Sequence, residues 1–483
     1  MASGGFDART SRYFGATPRR CSMRWARRLG VAVGRLVASV ATAGIAAGHE
    51  VGATRFDSPL PLSLLFVGAG ATVGLTAAWL GRTENSLPSG TRVAGRLPAG
   101  AMRALRIAGR IGFGVLVVAA IARGLTGRQV AAENFATVFV WPLWLKGIGL
   151  VAVLVGSPWR ALSPWRGVHA LLERLEERTV AVGEYPARLG VWPAVVGFVA
   201  TVGVIENLTV VARSPRLTAG LVALYAVGMV LGGLAFGRSW FARGDCFEVL
   251  FRQFGRVAPV RIRERDGRWI VETRYPWDGC TDAAPRPGAA VFVVAMVYTV
   301  SFDGFTGTPE YQQVLDAGRT AVGTGALTGL AVYVIGLAGF VVSFAGAAAL
   351  VERIGDAGET ARTTALAFAP TVLPIAAAYE IAHNYPFVIR NLGQAFDLAT
   401  GAVGVPVESV DLLGWLSLPA FWGSQVLLIV AGHVAAVVAA HAVAVRRYGS
   451  LVRARRAHLP LVVVMIGYTV LSLWIVSRPV VAG

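Results

Sequence analysis

The chain has 483 residues, of which 55% are hydrophobic and only 15% are charged. Because a soluble domain carries about 25% charged residues, this composition excludes an ordinary soluble protein and indicates a polytopic membrane protein. The net charge of +18 comes almost entirely from arginines, which lie between apolar segments and not on a basic face interleaved with aromatics. The sequence therefore also argues against nucleic-acid binding.

Apolar runs follow one another along the whole chain, and most reach the roughly 20 residues needed to cross about 30 Å of hydrocarbon. The predicted spans are Leu29–Ala47, Leu60–Leu80, Leu105–Leu125, Thr137–Val155, Leu189–Val211, Leu217–Phe236, Ala289–Phe305, Thr320–Val351, Ala365–Tyr385, Leu418–Val445 and Leu459–Val476. The predicted fold is all-α, a polytopic transmembrane helix bundle with about 10–11 spanning segments in a lipid bilayer.

Arginine-rich and arginine-poor loops alternate between these spans without a break. The tail before the first span holds seven arginines, and the next loop holds only Arg55. The connection from Arg238 to Arg286 holds ten, and the loop after it holds Arg319 alone. By the positive-inside rule, we expect the N-terminus in the cytoplasm and the C-terminus outside, in the plasma membrane of a prokaryote.

Residues 1–48 form a basic N-terminal tail that contains the first apolar run. Ala46-Ala47-Gly48 offers small residues for cleavage, so this part is either a signal peptide that is removed or an anchor helix that stays. The remainder, 49–483, is predicted to be a multi-pass membrane domain with a small cytoplasmic insert at about 237–288.

Local patterns within the insert predict two elements. Apolar side chains between Phe247 and Phe254 recur at helical spacing, which predicts a helix lying on the inner membrane surface. Asp266-Gly267 separates two strand-like runs and predicts a β-hairpin. The chain's three cysteines form no CxxC motif and are predicted to be free thiols; they are Cys21, Cys246 and Cys280.

The stretch Tyr379–His383 lies inside an apolar run and carries two ionisable side chains. Glu380 and His383 are three residues apart and share one face of a helix. A charged group at membrane depth costs about 2.5–3.5 kcal/mol even on a lenient scale, so such a pair is kept for a reason, which would be packing polarity, a metal ion, a haem or a proton path. The predicted orientation brings Asp303 and His433 toward the same outer half of the bilayer. The four side chains predict an outward-facing polar site that would suit one copper, zinc or iron ion.

Other interpretations of the intramembrane polar residues stay open at this point. Glu206 and Asp303 would also serve as helix caps or face the outer water. Lys146, the only lysine, either snorkels to the interface or pairs with a carboxylate. His433 and His441 are eight residues apart, about 12 Å of rise, so they cannot bind one metal ion. Each could ligate one of two stacked haems with a partner on another helix. Haem is the less favoured cofactor, after a single metal ion.

Several sequence blocks, read in order, resemble a family of polytopic prokaryotic membrane proteins that is common in high-GC actinobacteria and often labelled fenitrothion hydrolase. The blocks are Gly48-His49 followed by Asp57–Pro61, Glu133–Ala136, the Pro-Trp-Arg repeats Pro158–Arg160 and Pro164–Arg166, Trp240–Asp245 with Phe247–Val249, Ser301–Gly304 and Tyr379–His383. The resemblance covers most of the chain from about His49 onward. It implies hydrolysis of an organophosphate ester, which needs an activated water and a charge clamp on the phosphoryl oxygen.

Three functional hypotheses follow from these observations. The first is a metal- or solute-handling membrane protein that binds a metal ion or small molecule at the outward-facing polar site. The second is a membrane-embedded organophosphate hydrolase. The third is a haem-bearing electron-transfer subunit. The sequence contains no Walker A loop, GxSxG or HExxH motif, which argues against ATP-driven transport by this chain alone and against a soluble-type serine hydrolase.

Overall fold

The computed structural model describes residues 61–82, 89–402, 404–405 and 412–478. The first predicted span, Leu29–Ala47, lies outside the described residues, and so does the choice between signal peptide and anchor helix. The described residues belong to one compact unit, Ala43–Gly483.

Helices make up most of the described chain. The principal helices are α1 (Leu62–Leu80), α2 (Ala99–Thr126), α3 (Phe135–Val155), α4 (Pro164–Leu175), α5 (Trp192–Glu206), α6 (Pro215–Phe236), α7 (Cys246–Val257), α8 (Pro287–Thr306), α9 (Pro309–Val322), α10 (Gly325–Gly355), α11 (Ala361–Ala402), α12 (Leu418–Tyr448) and α13 (Leu459–Val476). Short helices lie at Trp159–Leu162, Arg238–Arg243 and Leu451–Ala457.

The predicted all-α polytopic bundle is confirmed. Within the described residues, nine helices are long and apolar enough to cross a membrane, and α5 is a shorter apolar helix. Ten of the eleven predicted apolar runs therefore contain a helix, and the eleventh is not among the described residues. The chain is a multi-pass membrane protein in a lipid bilayer.

Burial separates central helices from those at the rim of the bundle. In the most apolar 18-residue window of each helix, 83% of α8 and 72% of α11 is buried inside the protein, against 17% for α1, α2 and α10. Large apolar side chains on the rim point outward, among them Val67, Ile111 and Val118. Such faces suit lipid, whereas the polar residues of α8 and α11 meet the protein interior.

A three-stranded antiparallel sheet lies beside the bundle, in the order β1–β3–β2. Its strands are β1 (Arg92–Leu97), β2 (Val260–Arg265) and β3 (Arg268–Thr273). The predicted hairpin is present: Asp266 and Gly267 both have positive φ, at 52° and 72°, as a tight turn between twisted strands requires. β1 comes from the distant loop between α1 and α2 and was not predicted.

The helix predicted between Phe247 and Phe254 forms, as α7, but it packs inside the bundle and does not lie on a membrane surface. Val249, Phe251 and Phe254 are fully or almost fully buried. The helix contacts α3, α5 and α11. Asp245 caps it, because its Oδ1 accepts a hydrogen bond from the backbone N–H of Glu248 at 3.0 Å.

The contact between α11 and α12 depends on a glycine. A β-carbon at Gly432 would lie 2.4 Å from the β-carbon of Ala378 and 2.8 Å from the carbonyl oxygen of Pro374. At Gly423, on the same helix, a β-carbon would meet no described atom within 4 Å. The two helices therefore approach closely only because residue 432 has no side chain.

We expect Gly432→Val to lower stability by about 1–3 kcal/mol, because the added methyl groups push α11 and α12 apart. The measurement is thermal unfolding of the purified protein in detergent. Gly423→Val is the matched control, since it makes the same change in the same helix in open space. Equal melting temperatures for the two variants would contradict this account of the contact.

Candidate functional site

Five polar side chains from four helices meet in the centre of the bundle. Lys146 comes from α3, Glu206 from α5, Asp303 from α8, and Glu380 and His383 from α11. We call this group the charge cluster. It contains three of the four residues of the predicted polar site, all except His433. Its other two members are Lys146 and Glu206, for which the sequence left other interpretations open.

Lys146 holds the charge cluster together. Its Nζ lies 3.2 Å from Oε1 of Glu206 and 3.7 Å from Oδ2 of Asp303. The same Oδ2 of Asp303 lies 3.6 Å from Nε2 of His383. Lys146 thus pairs with carboxylates and does not snorkel, which decides between the two interpretations that the sequence left open.

The charge cluster is buried except at His383. The exposed fraction of the side chain is 5% for Lys146, 0% for Glu206 and 5% for Asp303, but 27% for His383. Glu380 is also buried. His383 is therefore the member of the charge cluster with the largest exposed fraction.

Two π-helical segments present Lys146 and Glu206 to each other. In α3 the segment is Phe139–Gly147, and in α5 it is Val199–Glu206. Pro142 has no N–H and would clash with the carbonyl of the preceding turn, which accounts for the irregular helix in α3. π-helical turns are rare and frequently occur at functional sites. Each of the two segments carries one partner of the Lys146–Glu206 pair, the closest ion pair in the charge cluster.

In α5 the freed carbonyl groups are satisfied by a neighbouring side chain. Nδ2 of Asn207 donates to the carbonyl oxygen of Val202 at 2.6 Å and lies 3.4 Å from that of Gly203. Gly203 in turn accommodates Tyr333, whose hydroxyl oxygen lies 2.0 Å from the place of an absent β-carbon. The irregular backbone is therefore fixed by specific contacts and is not a frayed helix end.

A small cavity lies beside the charge cluster. Its volume of about 20 Å³ is enough for a single water. Lys146, Asp303 and Glu380 line one part of its wall, and Leu250 and Phe254 of α7 line another. Burial of α7 therefore closes the cavity on the side away from His383. We call this space the cluster cavity.

A glycine and a tyrosine shape the surroundings of the charge cluster. Oε1 of Glu380 lies 3.2 Å from the place where a β-carbon of Gly149 would be, so the carboxyl group occupies space that a side chain would fill. The ring centroid of Tyr379 lies 6.1 Å from that of His383. The Tyr379 hydroxyl is buried and forms no hydrogen bond to any described residue, which leaves it as a donor for a bound molecule.

His433, the fourth predicted site residue, belongs to a different environment. Its Nδ1 hydrogen-bonds the carbonyl oxygen of Ile429 at 2.8 Å, and its ring packs 5.6 Å from that of Tyr468. His441 packs against His458 at 5.3 Å. No contact among the described residues joins either histidine to the charge cluster, and they take part in the packing of α12.

The described residues contain no group of three or more histidine, cysteine, aspartate or glutamate side chains arranged to hold a metal ion. In the charge cluster the ammonium of Lys146 lies against Glu206 and Asp303, where a cation would otherwise neutralise the carboxylates. The assignment of Asp303, Glu380, His383 and His433 as ligands of copper, zinc or iron stays a prediction.

A second polar group surrounds Asp245, at the end of the bundle that carries the sheet. Oδ2 of Asp245 accepts from Nε1 of Trp159 at 2.9 Å, and Oδ1 accepts from the hydroxyl of Tyr225 at 2.6 Å. Burial raises the pKa of Asp245, although these hydrogen bonds act in the opposite direction. The neighbouring Glu248 lies 3.5 Å from Arg166 and 3.6 Å from Arg252.

The two described cysteines are free, as predicted, and both are buried. Burial raises the pKa of each thiol, Cys246 and Cys280, to about 12. They are therefore protonated and chemically inert at neutral pH. Cys21 lies outside the described residues.

Comparisons of the chain with protein-family models, with curated proteins and with solved structures give no match. The similarity to the proteins labelled fenitrothion hydrolase therefore depends on the sequence blocks alone. Function has to be inferred from the charge cluster and its surroundings.

We expect Lys146→Met to destabilise the protein by about 3–5 kcal/mol, because it leaves buried carboxylates without the ammonium between them. Thermal unfolding in detergent measures the loss. The double variant Lys146→Met/Glu206→Gln should recover part of it, since it also removes one of those carboxylates. Glu206→Gln alone is the control that completes the cycle. Strictly additive effects of the two substitutions would contradict a direct ion pair.

Proposed function

We propose that the protein handles a small ion or solute in the plasma membrane of a prokaryote, with the charge cluster as its binding site. The arginine distribution supports an orientation with the N-terminus in the cytoplasm. In that orientation Glu206 and Asp303, close to the ends of α5 and α8, lie in the outer half of the bilayer. His383 is the most exposed member of the charge cluster.

The observation that carries this proposal is the buried ammonium of Lys146 between two carboxylates from other helices. Hydrophobic residues of similar volume would often stabilise a bundle as well as a buried ion pair does, or better. Ionisable groups at membrane depth usually mark ion paths, substrate sites or proton relays. The π-helical segments that carry Lys146 and Glu206 add a second, geometric mark of a functional site.

The size of the cluster cavity favours ion or solute handling over ester hydrolysis. About 20 Å³ holds one water, whereas pockets for drug-sized ligands such as a phosphotriester are of the order of 300–1,000 Å³. The absence of a three-ligand group among the described residues favours a small ion or solute over a tightly bound transition metal. No described contact of His433 or His441 favours haem.

We expect a small ion to raise the melting temperature of the wild-type protein in a screen of inorganic cations and inorganic anions. The same additive should have no effect on Asp303→Asn or His383→Ala, because both remove groups of the charge cluster. Asp316→Asn is the matched control, since this carboxylate is largely exposed and, among the described residues, pairs with its helical neighbour Arg319.

Parallel measurements separate the alternatives. Elemental analysis could find stoichiometric copper, zinc or iron that is lost in His383→Ala. That result would contradict the proposal and show that the protein binds a transition metal. Release of nitrophenol from a phosphotriester by purified protein, lost in the same variant, would replace it with the hydrolase. A haem absorption spectrum would replace it with electron transfer. No shift with any additive, or equal shifts in Asp303→Asn and wild type, would contradict the proposal.

A further inference from the structure

A second cavity, of about 30 Å³, lies next to the cluster cavity. Its wall comes from α3, α5, α6 and the start of α7. The lining residues are Val140, Trp141, Trp144, Leu145, Thr201, Val202, Leu221, Val222, Tyr225 and Phe247. We call this space the inner cavity, because its lining residues Trp144 and Tyr225 contact Trp159 and Asp245 at the end of the bundle that carries the sheet, which is the cytoplasmic end in the proposed orientation.

Two apolar side chains separate the inner cavity from the cluster cavity. Leu145 and Val202 line both spaces. They belong to the same π-helical segments that carry Lys146 and Glu206, and Leu145 directly precedes Lys146. A hydrophobic constriction of this kind excludes water and blocks ion passage until it widens or becomes polar. The two residues are therefore placed as a gate between the cavities.

The inner cavity ends at a buried carboxylate. Tyr225 lines the cavity, and its hydroxyl donates to Oδ1 of Asp245 at 2.6 Å. Besides Tyr225, the groups that face Asp245 are the indole of Trp159, the thiol of Cys246, the carboxyl of Glu248 and the guanidinium groups of Arg166 and Arg252. Asp245 is completely buried, and that burial raises its pKa.

The inner cavity has a polar group that a water would satisfy. Trp144 lines the cavity, and its indole N–H forms no hydrogen bond to any described residue. A water held there could accept from Trp144 and donate to the oxygen of Tyr225. The volume is enough for about one water and too small for a hydrated metal ion.

We propose that the charge cluster exchanges protons with the cytoplasm past Leu145 and Val202, through the inner cavity, to Tyr225 and Asp245. This inference rests on the proposed function and names the proton as the coupled species. In the step at the inner end, a cavity water that has taken up a proton from the charge cluster passes that proton to the Tyr225 oxygen and returns to neutral water, while the Tyr225 hydroxyl proton passes to the Asp245 carboxylate. Only O–H bonds form and break, and one proton moves inward. The apolar pair closes the route in this conformation.

The test is proton flux into liposomes that contain the full-length protein and a trapped pH-sensitive dye, driven by a potassium diffusion potential. We expect Leu145→Ser to raise the flux several-fold over wild type, because a polar residue hydrates the constriction. Leu154→Ser is the matched control on the same helix, since Leu154 is 53% exposed and faces outward. Val202→Ser, with Val196→Ser as its control, gives a second reading if Leu145→Ser does not fold.

A double variant tests the inner end of the route. Asp245→Asn in the Leu145→Ser background should return the flux to the wild-type level, because asparagine keeps the hydrogen-bonding oxygen but carries no titrating proton. An unchanged melting temperature confirms that the cap of α7 is intact. Persistent high flux in the double variant would overturn the assignment of Asp245.

The outcomes distinguish this inference from the proposed function. Equal flux in Leu145→Ser and Leu154→Ser, with an additive shift that still depends on Asp303, would overturn the proton route and leave the binding site standing. High flux in Leu145→Ser without any additive shift would support the proton route and contradict solute handling. Equal flux in Leu145→Ser and Leu154→Ser, together with no additive shift of the melting temperature, would overturn both the proton route and the proposed function.

Discussion

The ion pairs of Lys146 with Glu206 and Asp303 are the interaction on which the centre of this bundle depends. They connect α3, α5 and α8 through side chains that are almost completely buried. The ammonium and the two carboxylates must be buried together, since any one of them alone would be strongly unfavourable. Helix packing, backbone irregularity and the position of the cluster cavity are all arranged around this requirement.

The backbone accommodates these ion pairs by departing from regular α-helix at two matching places. A π-helical segment in α3 and another in α5 bring the lysine and the glutamate within 3.2 Å of each other. The same two segments place Leu145 and Val202 between the two cavities. Charge pairing and the apolar barrier are therefore properties of one pair of irregular segments, so a change in their winding would alter both at once.

The sequence predicts the fold well because lipid imposes a simple rule on composition. Apolar runs of sufficient length must be helices, and ten of them are. Tyr379–His383 and Asp303 point to the site because ionisable groups are rare in such runs. The partnership of Lys146 with Glu206 could not be predicted, since it depends on π-helical winding that leaves no periodic signal. For His433 the sequence predicts a depth along the helix but not the direction of the side chain. That direction decides its partners, which are Ile429 and Tyr468.

The burial of α7 has a consequence for the order in which the protein assembles. This helix follows α6 in the chain, yet it contacts α11, which is synthesised more than 100 residues later. Its buried acidic residue and its flanking arginines make it too polar to enter the bilayer as an independent span. The apolar face of α7 packs against α3 and α5, which precede it in the chain, but its contacts with α11 can form only after α11 has been synthesised. Completion of the central site is thus one of the last events in the biogenesis of the bundle.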